Sequence, residues 1–329
     1  MSTTQADHLA SGAANGAEPG PVDAAQLVRG VSPVLEVPFT DDGEIDVAGF
    51  ENVVRYVLST GVTSLMFPGF ASEFHKLSED ERWTLTEALL AHTRARADVA
   101  AIAAVQDHAT VLAARRARQL VEQGADLINL LPPHFLGPSP RHLREHIAAV
   151  LDAVPNTPIV LQYAPTETGT SLNAQGIAAI AKEHPNLRLV KVESSPPGAL
   201  IAELAHGNPP LPAVEGYAGV QLPDAIRRGA IGTQPGCSFT EVYVEIWQRF
   251  ADGDEAGGYD LHRRLLPYIS YWMLDTELII AAEKLISMRR GLFASAYCRE
   301  PAHLLDAEEV AMVERFLAEF ADTLHPITP

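Results

Sequence analysis

PIVLQYAPTETGTSLNAQGIAAIAKEHPNLRLVKVE (158–193) contains one complete unit of the pattern that decides the fold. Its two ends, PIVLQY (158–163) and LRLVKVE (187–193), are short and mostly apolar, which is typical of parallel strands covered on both faces. The stretch NAQGIAAIAKEHP between them has the length and composition of a helix. This order predicts a strand–helix–strand unit of a parallel sheet.

Six further apolar runs of the same kind surround this unit. They are VLEV (34–37), TSLMF (63–67), VAAIAAV (99–105), LINLL (127–131), LPAVEG (211–216) and AIGTQPG (230–236). Helix-like stretches separate them, so the chain predicts an α/β fold, a (β/α)8 TIM barrel. A doubly wound open sheet is the alternative, although no Gly-rich dinucleotide turn follows the first run.

The same pattern divides the chain into three parts. Residues 1–28 are small, polar and rich in Gly and Pro, and they predict a flexible N-terminal tail. Residues 29–237 are predicted to form the barrel. Residues 238–329 contain only helix-like stretches and predict a C-terminal helical region packed on the barrel.

Composition and charge exclude several classes of protein. The 329 residues carry a net charge of −18, which disfavours nucleic acid and anionic membranes as partners, because both bind clustered Lys and Arg. Two cysteines make no disulfide framework in a chain of this length. No apolar run reaches the ~18 residues of a membrane span, and no secretory signal is evident. We therefore expect a cytoplasmic protein.

Lys191, in LRLVKVE, is the first candidate catalytic residue. Alternation along a strand places Leu189, Lys191 and Glu193 on one face, so Lys191 points into the barrel if Leu189 does. An apolar interior favours the neutral amine, which attacks a ketone to form a Schiff base, and the resulting iminium is an electron sink. The alternative is a structural lysine that pairs with Glu193 or points to a loop.

Two other predicted strand ends carry candidate site residues, because barrel active sites lie at the carboxyl ends of the strands. QYAPTETG (162–169) offers Gln162 as a hydrogen-bonding amide and Tyr163 as an acid or base. GTQPGCS begins at Gly232, at the end of the eighth strand, where barrels often bind anions. Both segments are also compatible with ordinary loops.

PGFASEF, after the second predicted strand, offers backbone amides that could hold a carboxylate. Within it, Glu73 is expected to be a structural anchor. His142 and His146 have the i, i+4 spacing of a metal-binding pair, but no third ligand is evident, so an ordinary helix face is the preferred interpretation. Cys237 is interpreted as a small packing residue.

Six segments in this order carry a family resemblance. They are GVSPVLEVPFTDDGEID, GVTSLMFPGFASEFHKLSEDER, NLLPPHFLGPSPRHLREH, VLQYAPTETGTSL, LVKVESS and GLFASAYCREP. Together, from about Gly30 to Phe320, they resemble the dihydrodipicolinate synthase and N-acetylneuraminate lyase family of Schiff-base aldolases. The resemblance implies that Lys191 is the Schiff-base lysine and that Arg299 and Pro301 match the family's late Arg-x-Pro motif.

The sequence departs from the family at several of its functional positions. The two threonines that hold the pyruvate carboxylate fall on Phe70 and Ala71, which leaves only backbone amides for that role. Without gaps, the catalytic tyrosine aligns with Gln162. A one-residue slip would put Tyr163 there instead, and only one of the two can face the cavity. Glu167 stands in place of the arginine that grips the second substrate.

The segment after the fourth strand carries His134 and Phe135 where the family often has a tyrosine pair. In the family this segment reaches toward a neighbouring subunit, so Phe135 is a candidate interface residue. Without the tyrosine, proton transfer would fall to Tyr163, His134, Tyr217, Glu193 or a water molecule.

The resemblance implies a Schiff-base-forming lyase, of the aldolase or dehydratase type, that acts on a 2-oxo acid such as pyruvate or a pyruvate-derived adduct. Glu167 argues against the dihydrodipicolinate synthase of lysine biosynthesis, because it repels an acidic acceptor. A small 2-oxo acid or aldehyde is the expected partner, with no organic cofactor and no metal. The substrate-binding residues are predicted to be Phe70, Ala71, His134, Glu167, Glu193, Tyr217 and Gly232.

The resemblance further implies a homo-oligomer, a dimer or a tetramer. Two other functions remain open. One is a barrel of the same family that has been repurposed for a different reaction or for binding a small carbonyl compound. The other is a metal-dependent aldolase or hydrolase.

Overall fold

The computed structural model describes residues 24–133, 137–169 and 171–327. Eight strands form its centre: β1 (Gly30–Val31), β2 (Ser64–Phe67), β3 (Ala100–Val105), β4 (Leu127–Leu130), β5 (Ile159–Tyr163), β6 (Leu187–Val192), β7 (Ala213–Glu215) and β8 (Gly232–Thr233). They pair in the order β1-β8-β7-β6-β5-β4-β3-β2, and every pairing is parallel. Val34, beyond β1, bridges both Met66 and Gly236 and closes the circle. The predicted (β/α)8 barrel is confirmed.

Helices alternate with these strands and continue after β8. They are α1 (Ala24–Leu27), α2 (Val47–Ser59), α3 (Glu79–Thr93), α4 (Thr110–Glu122), α5 (Pro140–Ala153), α6 (Pro165–Thr168), α7 (Ala174–Glu183), α8 (Gly198–Ala205), α9 (Leu222–Arg227), α10 (Thr240–Ala251), α11 (Glu255–Trp272), α12 (Thr276–Arg289) and α13 (Ala307–Glu319). Ser78 and Glu81 form a capping box that starts α3, with hydrogen bonds in both directions. No helix within the described ranges combines the length and apolar character needed to cross a membrane.

The strands are buried on both faces, as their apolar composition predicts. One cluster fills the barrel and includes Ile102, Val160 and Leu189. A second cluster lies between β3–β7 and their helices and includes Val190 and Val192. Side chains alternate along β6, so Leu189 faces the interior while Val190 and Val192 face the helices. The side chain of Lys191, which lies between the two valines, therefore points to the interior.

The C-terminal helices join the same core as the first barrel helices. Their contact is aromatic: the ring of Phe316 on α13 lies 4.9 Å from that of Phe239 and 5.5 Å from that of Trp272. α10, which the sequence predicts as part of the C-terminal region, packs directly on β1 and occupies the position of the eighth barrel helix. The helical extension proper therefore begins with α11.

Two boundaries differ from the sequence prediction. The first strand is Gly30–Val31, not 34–37, because Pro33 has no N–H to donate to the ladder and Val34 pairs only as an isolated bridge. Residues 24–28, assigned to the tail, form α1 and the turn after it, with Ala24 and Val28 buried in the interior cluster. Residues 1–23 lie outside the described residues, so the tail there stays a prediction.

Candidate functional site

A cavity of about 700 Å³, partly continuous with solvent, opens at the carboxyl ends of the strands. Its wall consists of segments that follow β1, β2, β5, β6, β7 and β8, together with the end of α11 and one face of α12. Phe70, Ala71, Glu167, Glu193 and Tyr217, all predicted to bind substrate, line this cavity. The barrel therefore brings together residues that are far apart in the chain, such as Phe70 and Tyr217.

Lys191 lies on the wall of this cavity, on the interior face of β6, and only 4% of it is exposed. Its ammonium nitrogen is 3.1 Å from Oε1 of Glu193. The lysine is thus paired with Glu193, as the structural interpretation expects, and it also faces the cavity, as a catalytic role would require. An ion pair of this kind offers a carboxylate that can take a proton from the lysine.

A chain of hydrogen bonds across three strands holds Glu193 in place. Asn129 on β4 donates to Oε1 of Gln162 at 2.9 Å. Gln162 on β5 donates in turn to Oε2 of Glu193 at 2.7 Å. Each residue of the chain is buried, so Glu193 presents its other oxygen to Lys191 in a fixed orientation.

The structure decides between the two candidates on β5. Gln162 faces the barrel interior beside Lys191, in agreement with the ungapped alignment. Tyr163 packs on the outer cluster with the helices and does not line the cavity. The prediction that Tyr163 serves as a catalytic acid or base is therefore not supported by its position, because adjacent residues of a strand point to opposite faces.

Glu167 and Tyr217 form a second polar pair on the cavity wall. The Tyr217 hydroxyl donates to Oε1 of Glu167 at 2.8 Å. Burial raises the pKa of Glu167, and this hydrogen bond partly opposes the rise. Burial likewise raises the pKa of Tyr217, so the phenol stays protonated at neutral pH. As predicted, Glu167 brings a carboxyl and not a cation to the cavity.

Phe70 and Ala71 belong to a short 3-10 turn after β2 (Phe70–Ser72). Neither of their backbone amides donates a hydrogen bond to a described residue. The turn is fixed by Ser72, which accepts from the amide of Gly69 at 2.9 Å. Glu73, next in sequence, is fully buried and ion-paired, which confirms that it is a structural anchor.

Several predicted residues do not meet at the cavity. His134 and Phe135 lie outside the described residues. Gly232 pairs with β1 below the cavity, where a Cβ would collide with the backbone of Gly30, so its predicted contact with substrate is not supported. Gln234, two residues further on, lines the cavity instead.

The two helical histidines do not form a shared site. His142 is exposed, whereas His146 is buried and lies 3.0 Å from the Thr110 hydroxyl. Across the described residues, no group of three or more His, Cys, Asp or Glu side chains is arranged to hold a metal ion. Cys237 is fully buried in the core cluster, as its interpretation as a packing residue predicts. Arg299 binds Glu81 and backbone carbonyls away from the cavity.

Sequence reasoning missed three buried carboxyl groups at or below the cavity. Glu36 and Glu283 line it, and Glu215 on β7 lies beneath it. Burial raises the pKa of Glu36 to about 7 and that of Glu215 to about 8. The available signal was a carboxylate inside an apolar run, VLEV or LPAVEG. Glu283 offered no such signal, because it lies on a helix.

A barrel with a buried lysine at the carboxyl ends of its strands defines the class of the protein. Comparison with known proteins gives the family. The model of the dihydrodipicolinate synthetase family matches residues 27–320. The chain therefore belongs to the dihydrodipicolinate synthetase family, as the resemblance of its six segments implied.

Individual relatives differ in their reactions. The chain is 27% identical to L-2-keto-3-deoxyarabonate dehydratase of Azospirillum brasilense over 279 residues, which are 83% of this chain and 88% of the relative. It is also 27% identical to 4-hydroxy-tetrahydrodipicolinate synthase of Methanosphaerula palustris over 300 residues, 89% of this chain and 100% of the relative.

Solved structures share the fold. Dihydrodipicolinate synthase from Rhodopseudomonas palustris superposes with a TM-score of 0.81 at 22% identity, over 89% of this chain and 97% of the other. A prophage protein of the same family from E. coli, solved in complex with pyruvate, gives a TM-score of 0.81 at 23% identity, over 89% and 98% of the two chains. At these identities the likeness concerns the fold alone.

Proposed function

We propose that the protein is a class I lyase in which Lys191 forms a Schiff base with the carbonyl group of a 2-oxo acid. The observation that carries the proposal is the placement of this lysine, buried on the cavity wall beside Glu193. The chain has three other lysines. Lys76 and Lys284 are engaged with a buried glutamate, and Lys182 is exposed.

The geometry supports a balanced sequence of steps. Glu193 accepts a proton from Lys191, whose amine attacks the carbonyl carbon. The carbinolamine loses its oxygen as water and leaves an iminium. In an aldol cleavage, a base takes the proton of the C4 hydroxyl, C4 leaves as an aldehyde, and the C3–C4 electron pair passes into the iminium as an enamine, which then takes a proton at C3 to become an imine. In a dehydration, a base removes a C3 proton and the enamine then expels the C4 hydroxyl as water. Hydrolysis of the final imine returns the lysine.

Other groups on the wall would position the substrate, and Gln162, which does not itself line the cavity, would position Glu193. The free amides of Phe70 and Ala71 are proposed to bind the substrate carboxylate in place of the family's threonine hydroxyls. Gln162 cannot act as an acid, so its proposed role is to orient Glu193. Tyr217, a phenol on the wall that stays protonated, is proposed to hold the substrate by hydrogen bonds, since its raised pKa makes it a poor source of a proton.

We favour an aldolase or dehydratase over a 4-hydroxy-tetrahydrodipicolinate synthase. Glu167 lines the cavity, and a carboxyl there disfavours a second substrate that is held by its own carboxylate. One of the relatives is named a dehydratase, L-2-keto-3-deoxyarabonate dehydratase, which is one of the two reaction types proposed here. A carbonyl-binding barrel without turnover is the second candidate, favoured by Gln162, which supplies no proton at the position of the family's tyrosine.

Borohydride trapping tests the proposal. The protein is incubated with pyruvate or other 2-oxo acids, reduced with borohydride, and analysed by intact mass and peptide mapping. We expect one adduct per chain, on the peptide that contains Lys191, with no adduct in Lys191→Arg. Lys182→Arg, an exposed lysine, is the matched control and should trap as the parent does. A folded parent that traps none of the acids would refute the lyase, and trapping without turnover would favour the binding barrel.

We also propose a homo-oligomer, a dimer or a tetramer, since closed symmetry is usual for soluble assemblies. Size-exclusion chromatography with light scattering tests this, and a single monomer peak across a range of concentrations would contradict it.

A further inference from the structure

Two carboxyl groups on the cavity wall have no part in the proposed reaction. Glu36 follows β1 and Glu283 lies on α12, and both line the same cavity as Lys191. Only 1% of Glu36 and 3% of Glu283 is exposed. Gln234, equally buried, lines the cavity beyond β8. We call Glu36, Glu283 and Gln234 together the acidic end of the cavity.

Most acceptor atoms of the acidic end lack a well-aligned partner. Neither carboxyl oxygen of Glu283, nor Oε2 of Glu36, nor Oε1 of Gln234 makes a well-aligned hydrogen bond to any described residue. The other oxygen of Glu36 accepts from Ser287, and the amide nitrogen of Gln234 donates to Ser32 at 3.2 Å.

Ser238 brings its hydroxyl and its backbone amide near the carboxyl of Glu283, so this group is weakly held, whereas Oε2 of Glu36 and Oε1 of Gln234 have no hydrogen-bond partner among the described residues. Buried polar groups in native proteins are almost always paired, so these poorly satisfied acceptors in one cavity wall indicate a ligand that brings donors.

The protein supplies no free cation to the acidic end. Among the described residues that line the cavity, Lys191 is the one basic side chain, and it is paired with Glu193. Lys284 and Arg290 lie close enough to Glu36 to lower the pKa of its carboxyl, but each is engaged with another buried glutamate.

Without a counterion, the two carboxyls resist ionisation. Burial is the main cause and raises the pKa of Glu36 to about 7. Burial, followed by repulsion from Glu36, raises the pKa of Glu283 to about 8, and the nearby Ser238 only partly opposes this. A positive charge between the two carboxyls would relieve both effects.

The backbone leaves room for this arrangement. A Cβ at Gly236 would collide with the carboxyl of Glu283, so the absence of a side chain there admits the glutamate to the wall. Apolar residues line the wall around it: Met273, just after α11, and Ile279 and Ile280 on α12. An apolar surface with carboxyls at its end suits a chain of methylenes that ends in a cation.

We propose that the acidic end binds a cationic nitrogen, an ammonium or a guanidinium group, at the end of the substrate remote from its carbonyl. This rests on the proposed function, and it names the substrate class as a 2-oxo acid with a basic group on an aliphatic chain. A guanidinium offers five N–H donors and a full positive charge to these poorly satisfied acceptors. A hydroxyl-bearing chain offers one donor per group and leaves the carboxyls without a counterion.

Trapping with a matched pair of 2-oxo acids tests the proposal. 2-Oxo-5-guanidinopentanoate and 2-oxo-5-ureidopentanoate have the same shape, but only the first is cationic, and pyruvate has no chain at all. We measure the concentration of each acid that gives half-maximal borohydride adduct. The guanidino acid should require about tenfold less than the ureido acid, as for one charge-assisted contact. This ratio should fall toward one in Glu283→Gln and Glu36→Gln.

The ratio is internal to each variant, so a general loss of activity does not affect it. Glu145→Gln, an exposed glutamate on α5, is the control and should keep the parent ratio. If pyruvate is trapped but the ratio is near one in the parent, or if the ureido acid is preferred, the proposal is wrong while the lyase stands. A ratio that survives in both cavity variants also overturns it.

A binding measurement on the parent covers two other outcomes. If no acid is trapped, the lyase proposal fails and the acidic end is judged by binding alone. If the variants do not fold, the same binding measurement on the parent protein tests the proposal. L-Arginine should raise the melting temperature more than L-citrulline does, since arginine carries the cationic guanidinium group and citrulline the neutral ureido group. Equal shifts, or none, would overturn the proposal.

Discussion

Replacing Glu215 by glutamine should make the protein more stable at high pH relative to the parent. Glu215 is fully buried on β7, where burial raises the pKa of its carboxyl from 4.5 to about 8. Between these values the unfolded chain releases the proton while the folded chain retains it. Rising pH therefore favours unfolding, and this contribution to stability is lost as pH rises. Glutamine is neutral in both states and removes the effect.

The structure gives the size of the effect and the reason why glutamine fits. At about 1.4 kcal/mol per pH unit, the free energy of unfolding of the variant should gain about 3 kcal/mol on the parent between pH 5 and pH 8. One carboxyl oxygen of Glu215 accepts from the amide of Gln221 at 3.3 Å, and the other lies 3.0 Å from the Thr233 hydroxyl. In the protonated acid, as in glutamine, one atom accepts from the backbone amide of Gln221 and the other donates to the Thr233 hydroxyl, whose own proton goes to the backbone carbonyl oxygen of Glu215, so the substitution keeps both contacts.

Urea unfolding at pH 5, 6, 7 and 8, followed by tryptophan fluorescence and circular dichroism, measures the difference. Glu183→Gln, an exposed glutamate at the end of α7, is the control, and its curve should run parallel to that of the parent. Because the comparison is a difference, the other buried carboxyls cancel. A Glu215→Gln curve that also runs parallel to the parent would refute the reasoning, since Glu215 would then be ionised in the folded protein.

Three further substitutions test other parts of the structure. Lys284→Met breaks a buried ion pair, so it should lower the free energy of unfolding, measured in urea, by about 3–5 kcal/mol. Lys182→Met on the surface is the control and should lower it by less than about 0.5 kcal/mol. Gln162→Leu removes two buried hydrogen bonds, so it should cost about 1–3 kcal/mol and slow borohydride trapping at Lys191; unchanged trapping would exclude the orienting role. Phe316→Ala should cost about 3–5 kcal/mol by urea titration, because its ring is fully buried; a small cost would show that α13 is dispensable.

Local patterns were enough to predict the barrel and its lysine. Eight apolar runs separated by helices have few solutions other than a closed parallel barrel, and seven of the observed strands fall within their predicted runs. Lys191 could be assigned to the interior because side chains alternate along a strand and Leu189 is apolar. The first strand was misplaced, because hydrophobicity alone does not show that Pro33 interrupts the ladder.

The composition of the cavity could not be predicted in this way. Whether Gln162 or Tyr163 faces inward depends on the register of β5 against its neighbours, which the flanking loops leave ambiguous by one residue. The partner of Gln162, Asn129, comes from a different strand. These contacts form only when the strands pair, so no local sequence pattern predicts them.

The sequence by itself determined a parallel barrel, its family and the lysine that faces its interior, because these depend on periodicity and on ordered motifs. Tertiary structure alone decided that Glu36 and Glu283, almost 250 residues apart in the chain, line one cavity without a counterion. The physical reason is that burial and charge are properties of the folded surroundings. In the sequence, a glutamate on a helix is expected to be solvated, and only packing removes the water and leaves its carboxyl without a counterion.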